Sequence, residues 1–300
     1  MGKDGGWKEY FHDNCRCADL INAIGCNGEQ IVKATDLQEG DPTLKKRSRD
    51  IVRKVAFGTS FMIVGIENQE EKDYELPLRN MIYDVSDYEK QLNRIQKEVR
   101  SEKGITSGEY MYGFKQDSKL NPLVTFVLYA GKEPWDGPYC LHDMLNFADV
   151  PKSLQKMVSD YKINIIDIRQ LKNTEVFHSD LKQVFDFIRC ADDMDMLLEL
   201  VNNDAYYSEM DETAFDVITK YTNSKELVKA KDYSVKGGKN NVCKAIQDLM
   251  ADSRKKGREE GREIALIETA KSLLDVLSDE IIAEKTGISL EKVKELRAEI

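Results

Sequence analysis

The stretch that decides the reading is DIVRKVAFGTSFMIVGIENQ, residues 50–69. Two runs rich in β-branched and aromatic residues, 50–57 and 60–69, flank the dipeptide Gly58-Thr59. Runs of this kind read as strands. A glycine at the first central position of a two-residue loop is what a type II′ hairpin turn requires. Phe57 then pairs with Ser60, and the numbers of every cross-strand pair sum to 117, which sets Asp50 opposite Glu67. Directly opposed residues have Cβ atoms about 4.5–5.5 Å apart, so the two carboxylates repel unless a cation joins them. Gln69, two residues beyond Glu67, falls on the same face.

Mg²⁺ (or Mn²⁺) suits such a place, because Mg²⁺ takes oxygen ligands and needs only one or two carboxylates beside water and substrate phosphate. The candidate site is therefore Asp50 and Glu67 as metal ligands, with Gln69 orienting water or phosphate. A hairpin that merely frays into charged residues fits the same pattern. Six of the eleven positions in LKKRSRDIVRK are basic: Lys45, Lys46, Arg47, Arg49, Arg53 and Lys54. They read either as a solvated face or as a local phosphate-attracting patch on a chain whose net charge is −10. Arg79, near the start of the next helix, joins Lys46, Arg47, Arg49 and Arg53 as a candidate phosphate contact.

Outward from the hairpin, the spacing predicts a helix over 9–25 ending on Gly25, and a short strand around GEQIVKA. A long amphipathic helix is expected from about Leu78 to Val99, with Pro77 in its first turn and Met81, Ile82, Val85, Tyr88 and Leu92 as its apolar stripe. NPLVTFVLYAG reads as a strand covered on both faces, GKEPWDGP as a turn in which Trp135 and Asp136 fix the chain, and YKINIIDI as one more strand. From about Ser179 the pattern is helical only. GREEGRE reads as a loosely held, salt-bridged helix, and SDEIIAEKTGISLEKVKELR as two short helices joined at Gly287 with Ser289 as a cap. That hairpin loosely resembles a helix-turn-helix, a pattern many helical hairpins share.

The six cysteines, Cys15, Cys17, Cys26, Cys140, Cys190 and Cys243, form no CxxC pair, and the chain has three histidines. A structural zinc site is disfavoured. No apolar run approaches the 18 or more residues of a membrane span, and the first residues lack a secretory apolar region, so a cytoplasmic protein without membrane contact is expected.

Several phrases resemble one family: KEYFHDN with ADLINAI, RDIVRKV, GIENQ followed by LPLRNMIYD, VTFVLYAGKEPWDGP and GREEGRE. Together they resemble the recombination-promoting nuclease (Rpn), or YhgA-like transposase, family of the PD-(D/E)XK nuclease superfamily, over nearly the whole chain. The resemblance implies an α/β fold with a PD-(D/E)XK nuclease-like core, a small mixed sheet flanked by helices, and an all-helical C-terminal region. The expected organisation is a nuclease-like domain at 1–190, a helical region at 191–255 and a charged helical tail at 256–300. It also implies a metal-dependent DNA endonuclease linked to recombination or mobile elements, with Asp50 as the motif aspartate, Glu67 as the metal-binding acid and Gln69 where the family's superfamily carries lysine. A glutamine donates and accepts hydrogen bonds but carries no charge, so a weak or inert DNA- or partner-binding module is the alternative. A further acid from the first helix sometimes completes such sites, and Glu9 and Asp19 are both available. DNA is the expected partner, and cutting both strands makes a homodimer reasonable.

Overall fold

The computed structural model describes residues 4–40, 50–221, 234–235 and 238–298. In chain order the helices are α1 (Asp4–Tyr10), α2 (Asn14–Leu20), α3 (Leu76–Ser101), α4 (Ser107–Tyr112), α5 (Lys152–Gln155), α6 (Leu181–Cys190), α7 (Met194–Asn203), α8 (Glu212–Tyr221), α9 (Val242–Leu273), α10 (Asp279–Thr286) and α11 (Leu290–Ala298). Five strands, β1 (Leu37–Glu39), β2 (Ile51–Phe57), β3 (Ser60–Gln69), β4 (Leu123–Tyr129) and β5 (Asn164–Asp167), form one sheet in that order. β1, β2 and β3 run antiparallel, while β3, β4 and β5 are parallel. The fold is thus mixed α/β, with α3 as the crossover that a parallel β3–β4 pair demands.

The β2–β3 hairpin follows the register set by its turn. Phe57 pairs with Ser60 and Ile51 with Ile66. Gly58 has φ +61°, and Thr59 is not among the positive-φ residues, as a type II′ turn requires. A Cβ at Gly58 meets nothing within 4 Å, so a substitution there acts through the backbone alone. Gly58→Val is expected to destabilise by about 1–2 kcal/mol, the cost of holding an L-residue at left-handed φ; urea denaturation measures it.

The register assigns each strand residue to a face. Ile51, Val55, Val64, Ile66, Phe126, Leu128 and Ile166 join the main core with Trp7, Phe11 and Leu20 of the N-terminal helices and Phe185 of α6. On the other face Val127 and Tyr129 pack with Leu76, Trp135 and Ile163, and Val52 with Ile63 and Leu123. β4 is covered on both sides, which is why LVTFVLY is apolar almost throughout. Leu197, Val201, Tyr207, Val217, Val242 and Ile246 belong to the same core as Trp7. The packing therefore runs through the expected boundary at 190. Ala270, Leu274, Ile282, Val293 and Leu296 form a separate cluster joining the end of α9 to α10 and α11.

Four sequence expectations change. The helix expected at 9–25 is two helices, because Asp13 caps α2 by accepting from the Cys15 N–H at 2.7 Å. The carbonyls released at the break find donors: Arg16 Nη1 bonds the Tyr10 carbonyl and Arg53 Nη2 that of Phe11. GEQIVKA is not a strand, since the buried Asn22 side chain takes the N–H groups of Ile31 and Val32 and donates to the Val32 carbonyl. The C-terminal half is not purely helical: Met210–Asp211, Ser234–Val235 and Lys239–Asn240 form a small antiparallel sheet.

The fourth change concerns α3. Its predicted stripe faces outward at Ile82 and Val85, and the buried side carries Asn80, Asp84, Asp87 and Gln91. Asp84 and Gln91 find partners under the helix. Tyr161 Oη donates to Asp84 at 2.7 Å, and Gln91 bonds the Asn121 N–H and carbonyl. Downstream, α10 and α11 meet at Gly287, with φ +74°, and Ser289 Oγ accepts from the Lys292 N–H. GREEGRE lies within α9, where residues 251–264 are all exposed.

Candidate active site

β3 ends at Gln69, and the chain turns through residues 70–75 into α3, whose first turns come back beside the strand end. Glu67 and Gln69 share the α3-facing side of the sheet. Arg79 on α3 meets both: its Nη2 donates to Glu67 Oε1 at 2.5 Å and to Gln69 Oε1 at 3.0 Å. Its Nη1 pairs with Asp73. The Gln69 amide nitrogen donates to the Glu71 carbonyl at 2.7 Å, so both ends of the amide are held. Glu67 is 5% exposed. Burial acts to lower the Arg79 pKa, and the charge and hydrogen bond of Glu67 together with Asp73 outweigh it, leaving the guanidinium above its ordinary value.

Asp50 directly precedes β2. Since Ile51 pairs with Ile66, Asp50 stands one step further along, across from Glu67. Its carboxylate accepts from the Asn68 N–H at 3.1 Å, extending the ladder by a side chain, and pairs with Lys8 Nζ at 3.2 Å. A hollow of about 310 Å³ opens beside it, lined by Lys8, Glu9, His12, Glu39, Asp50, Ile51 and Arg53. The structure thus brings Asp50, Glu67, Gln69 and Arg79 to one end of the hairpin, with Glu9 nearby.

Other expected residues lie elsewhere. Asp19 is not part of this end of the sheet: its carboxylate accepts from the N–H groups of His178 and Ser179 and from Ser179 Oγ, fixing the turn ahead of α6. Arg53 is not placed for phosphate contact. It is 5% exposed and donates to Asn14 Oδ1 and to the Phe11 and His12 carbonyls. Lys46, Arg47 and Arg49 fall outside the described residues. Trp135 and Asp136 hold loops, as expected of a turn. The Trp135 N–H donates to Asp167, its ring meets Tyr129 edge-on at 5.2 Å, and Asp136 accepts from Lys72 and Tyr74, tying this loop to the β3–α3 connection.

The sequence pattern starts the first helix at residue 9 and so does not bring out Lys8, in α1, as the partner of Asp50. Arg79 was found, but as a phosphate contact and not as the partner of Glu67. Its position in the first turns of the crossover helix, after a short loop from the strand carrying Glu67, is the signal for that pairing.

A divalent ion is compatible with this donor set. Among the described residues no cluster of three or more His, Cys, Asp or Glu side chains is poised to enclose a metal. A pair of carboxylates, Glu67 buried and Asp50 with a side chain 15% exposed, suits Mg²⁺, which needs only one or two of them, better than a closed zinc cage. Among the described residues no helix is long and apolar enough to cross a membrane. The family model described as "Putative transposase, YhgA-like" matches residues 40–213, more than half of the chain. No curated protein and no solved structure gives a significant match.

Proposed function

From membership of this chain in the YhgA-like transposase family, we propose that it is a metal-dependent DNA endonuclease of PD-(D/E)XK type, acting in recombination or the movement of mobile elements. The family description supports action on DNA and a mobile-element role. The observation that supports the nuclease reading is that Asp50, bonded to the Asn68 N–H, lies at the end of the hairpin where β3 carries Glu67 and Gln69 and α3 returns. The order helix, three antiparallel strands, helix, parallel strand agrees with the core the sequence resemblance implies.

Asp50 and Glu67 would hold Mg²⁺ or Mn²⁺, and such an ion polarises a phosphoryl group and lowers the pKa of attacking water. The side chains do the rest. Arg79 fixes the carboxylate of Glu67 and keeps a positive charge beside the place where phosphate negative charge gathers. Gln69 has no proton to lose, so it orients water or a phosphate oxygen by hydrogen bonding and leaves general-base work to another group. Lys8 neutralises Asp50 from the opposite side and stands at the mouth of the hollow shared with Glu9.

The second reading, a DNA- or partner-binding module without catalysis, is favoured by one observation: each carboxylate already has a basic partner within the chain. Nicking of supercoiled plasmid decides between them. The nuclease reading expects relaxation with Mg²⁺ or Mn²⁺ and none in chelator. Absence of cutting with every metal tried, together with salt-dependent DNA binding, would favour the binding module.

The basic run adds a separate expectation. A Lys46→Ala/Arg47→Ala/Arg49→Ala variant should bind DNA more weakly, and the slope of log K against log salt should flatten by about 0.9 for each phosphate contact removed. Fluorescence anisotropy over a salt series reads it, and an unchanged slope excludes these residues from the phosphate path.

A further inference from the structure

The outward side of α3 carries a line of apolar side chains, broken by the exposed Glu89. Leu78, Ile82 and Val85 are 43%, 57% and 55% exposed, and Tyr74 ahead of the helix is 56% exposed. With the half-buried Leu92 they recur at helical spacing on one face. Leu78 to Leu92 covers about 21 Å at 1.5 Å per residue. Next to this line a hollow of about 390 Å³ lies between Met81, Val85 and Tyr88 on one side and Leu123 and Ile163 on the other. At the far end, α4 is tied to α3 through Arg100 and Gln96 and presents Tyr110, Met111 and Tyr112, all at least 60% exposed.

The charges around this face are polarised. Glu71 and Glu75 are exposed at its N-terminal end, and at its C-terminal end the exposed Arg94, Lys97, Arg100 and Lys103 outnumber the exposed Glu98 and Glu102. A parallel pairing of two such helices stacks acid on acid and base on base. An antiparallel pairing about Val85 does the reverse. It sets Leu78 of each copy beside Leu92 of the other, brings the Glu71–Glu75 end to the Arg94–Arg100 end, and gives Tyr74 the exposed side chains of α4. A face complementary to itself under a two-fold rotation is the requirement of an isologous dimer. Nucleic acid does not fit, since the centre is apolar and one end acidic.

We infer that a second copy of this chain docks here, α3 against α3, antiparallel about an axis near Val85. This surface borders the candidate site at Glu71, whose carbonyl holds Gln69, but its test reads oligomeric state and not cutting, so the dimer and the nuclease reading succeed or fail separately.

The test is sedimentation of the full chain up to about 100 µM, above the micromolar end of dissociation constants for ordinary interfaces. The wild type should pass from monomer to dimer over that range. Val85→Glu puts two like charges across the axis, and at a central position should weaken the dimer by about 30-fold or more. Val85→Cys should give a reducible dimer under mild oxidation, whereas Leu78→Cys needs Leu92→Cys beside it to do so. Glu75→Lys should weaken the dimer and Lys97→Glu should restore it in the same chain. A wild type that stays monomeric, a dimer indifferent to Val85→Glu with no bridge through Val85→Cys, or binding only to a different protein overturns the inference.

Discussion

Glu67→Gln is expected to lower the rate of metal-dependent plasmid nicking by about 100-fold or more, while leaving DNA binding intact or slightly tighter. Loss of a group that merely supports a metal ligand typically costs 10–100-fold, and a ligand itself should sit at or above the top of that range. Glutamine keeps the shape of the side chain and an oxygen to accept from Arg79 Nη2, so the Gln69–Arg79 arrangement has reason to persist. What leaves is one negative charge at the place proposed for the ion. The same charge opposes phosphate, hence the expectation for binding. Asp50→Asn should behave alike, because an amide oxygen still accepts from the Asn68 N–H. The double variant should be little worse than either single one, since residues holding one ion act as a unit. Initial nicking rates at saturating Mg²⁺, set beside binding measured in chelator, check this. Equal cutting by wild type and variants would move the chemistry elsewhere on the chain.

The β2–β3 hairpin was legible because its information is local. Gly58-Thr59 allows one turn, the turn fixes one register, and the register alone puts Asp50 across from Glu67 and Gln69 on the same face. β4 was legible for a similar reason, as a central strand must be apolar on both sides. The inward side of α3 was not legible. Periodicity tells which residues share a face, but not which face is covered, and here Tyr161 and the Asn121 backbone lie under the helix to receive Asp84 and Gln91. The segment after α2 failed for a related reason: Asn22 supplies from a side chain the bonds a neighbouring strand would have supplied. Lys8 beside Asp50 and Arg53 beneath Phe11 depend on the path of the chain across 42 residues or so in each case, and no spacing rule spans that distance.

The same long-range logic locates the largest expected loss of stability, at Asp180. Its carboxylate receives Arg16 Nε at 2.9 Å and Nη2 at 2.8 Å, Tyr10 Oη at 2.9 Å and Tyr206 Oη at 2.6 Å. The Arg16 guanidinium also lies 4.0 Å from the centre of the Tyr10 ring and donates to Thr213 Oγ1 at 2.6 Å. One carboxylate thus fastens α2 and the end of α1 to the start of α6 and the turn before β6 (Met210–Asp211). The side chains of Arg16 and Asp180 are only 10% and 13% exposed, so Asp180→Ala leaves a guanidinium and two hydroxyls with poor access to water. Breaking one partner of such a pair costs about 3–5 kcal/mol. At about 2–4 °C per kcal/mol for large domains, the melting temperature should fall by roughly 10 °C. Arg16→Met with Asp180→Leu should recover part of the loss, because no buried charge then remains. Burial, and then the charge of Asp180, raises the Tyr10 and Tyr206 phenols above their ordinary value of 10.0. Their contribution is therefore whole below pH 10 and declines as pH rises above it, when the unfolded chain can ionise and the folded one cannot. Urea denaturation at neutral and alkaline pH measures both effects, and a loss under about 1 kcal/mol for Asp180→Ala, the level of an exposed ion pair, would mean that the carboxylate holds nothing together.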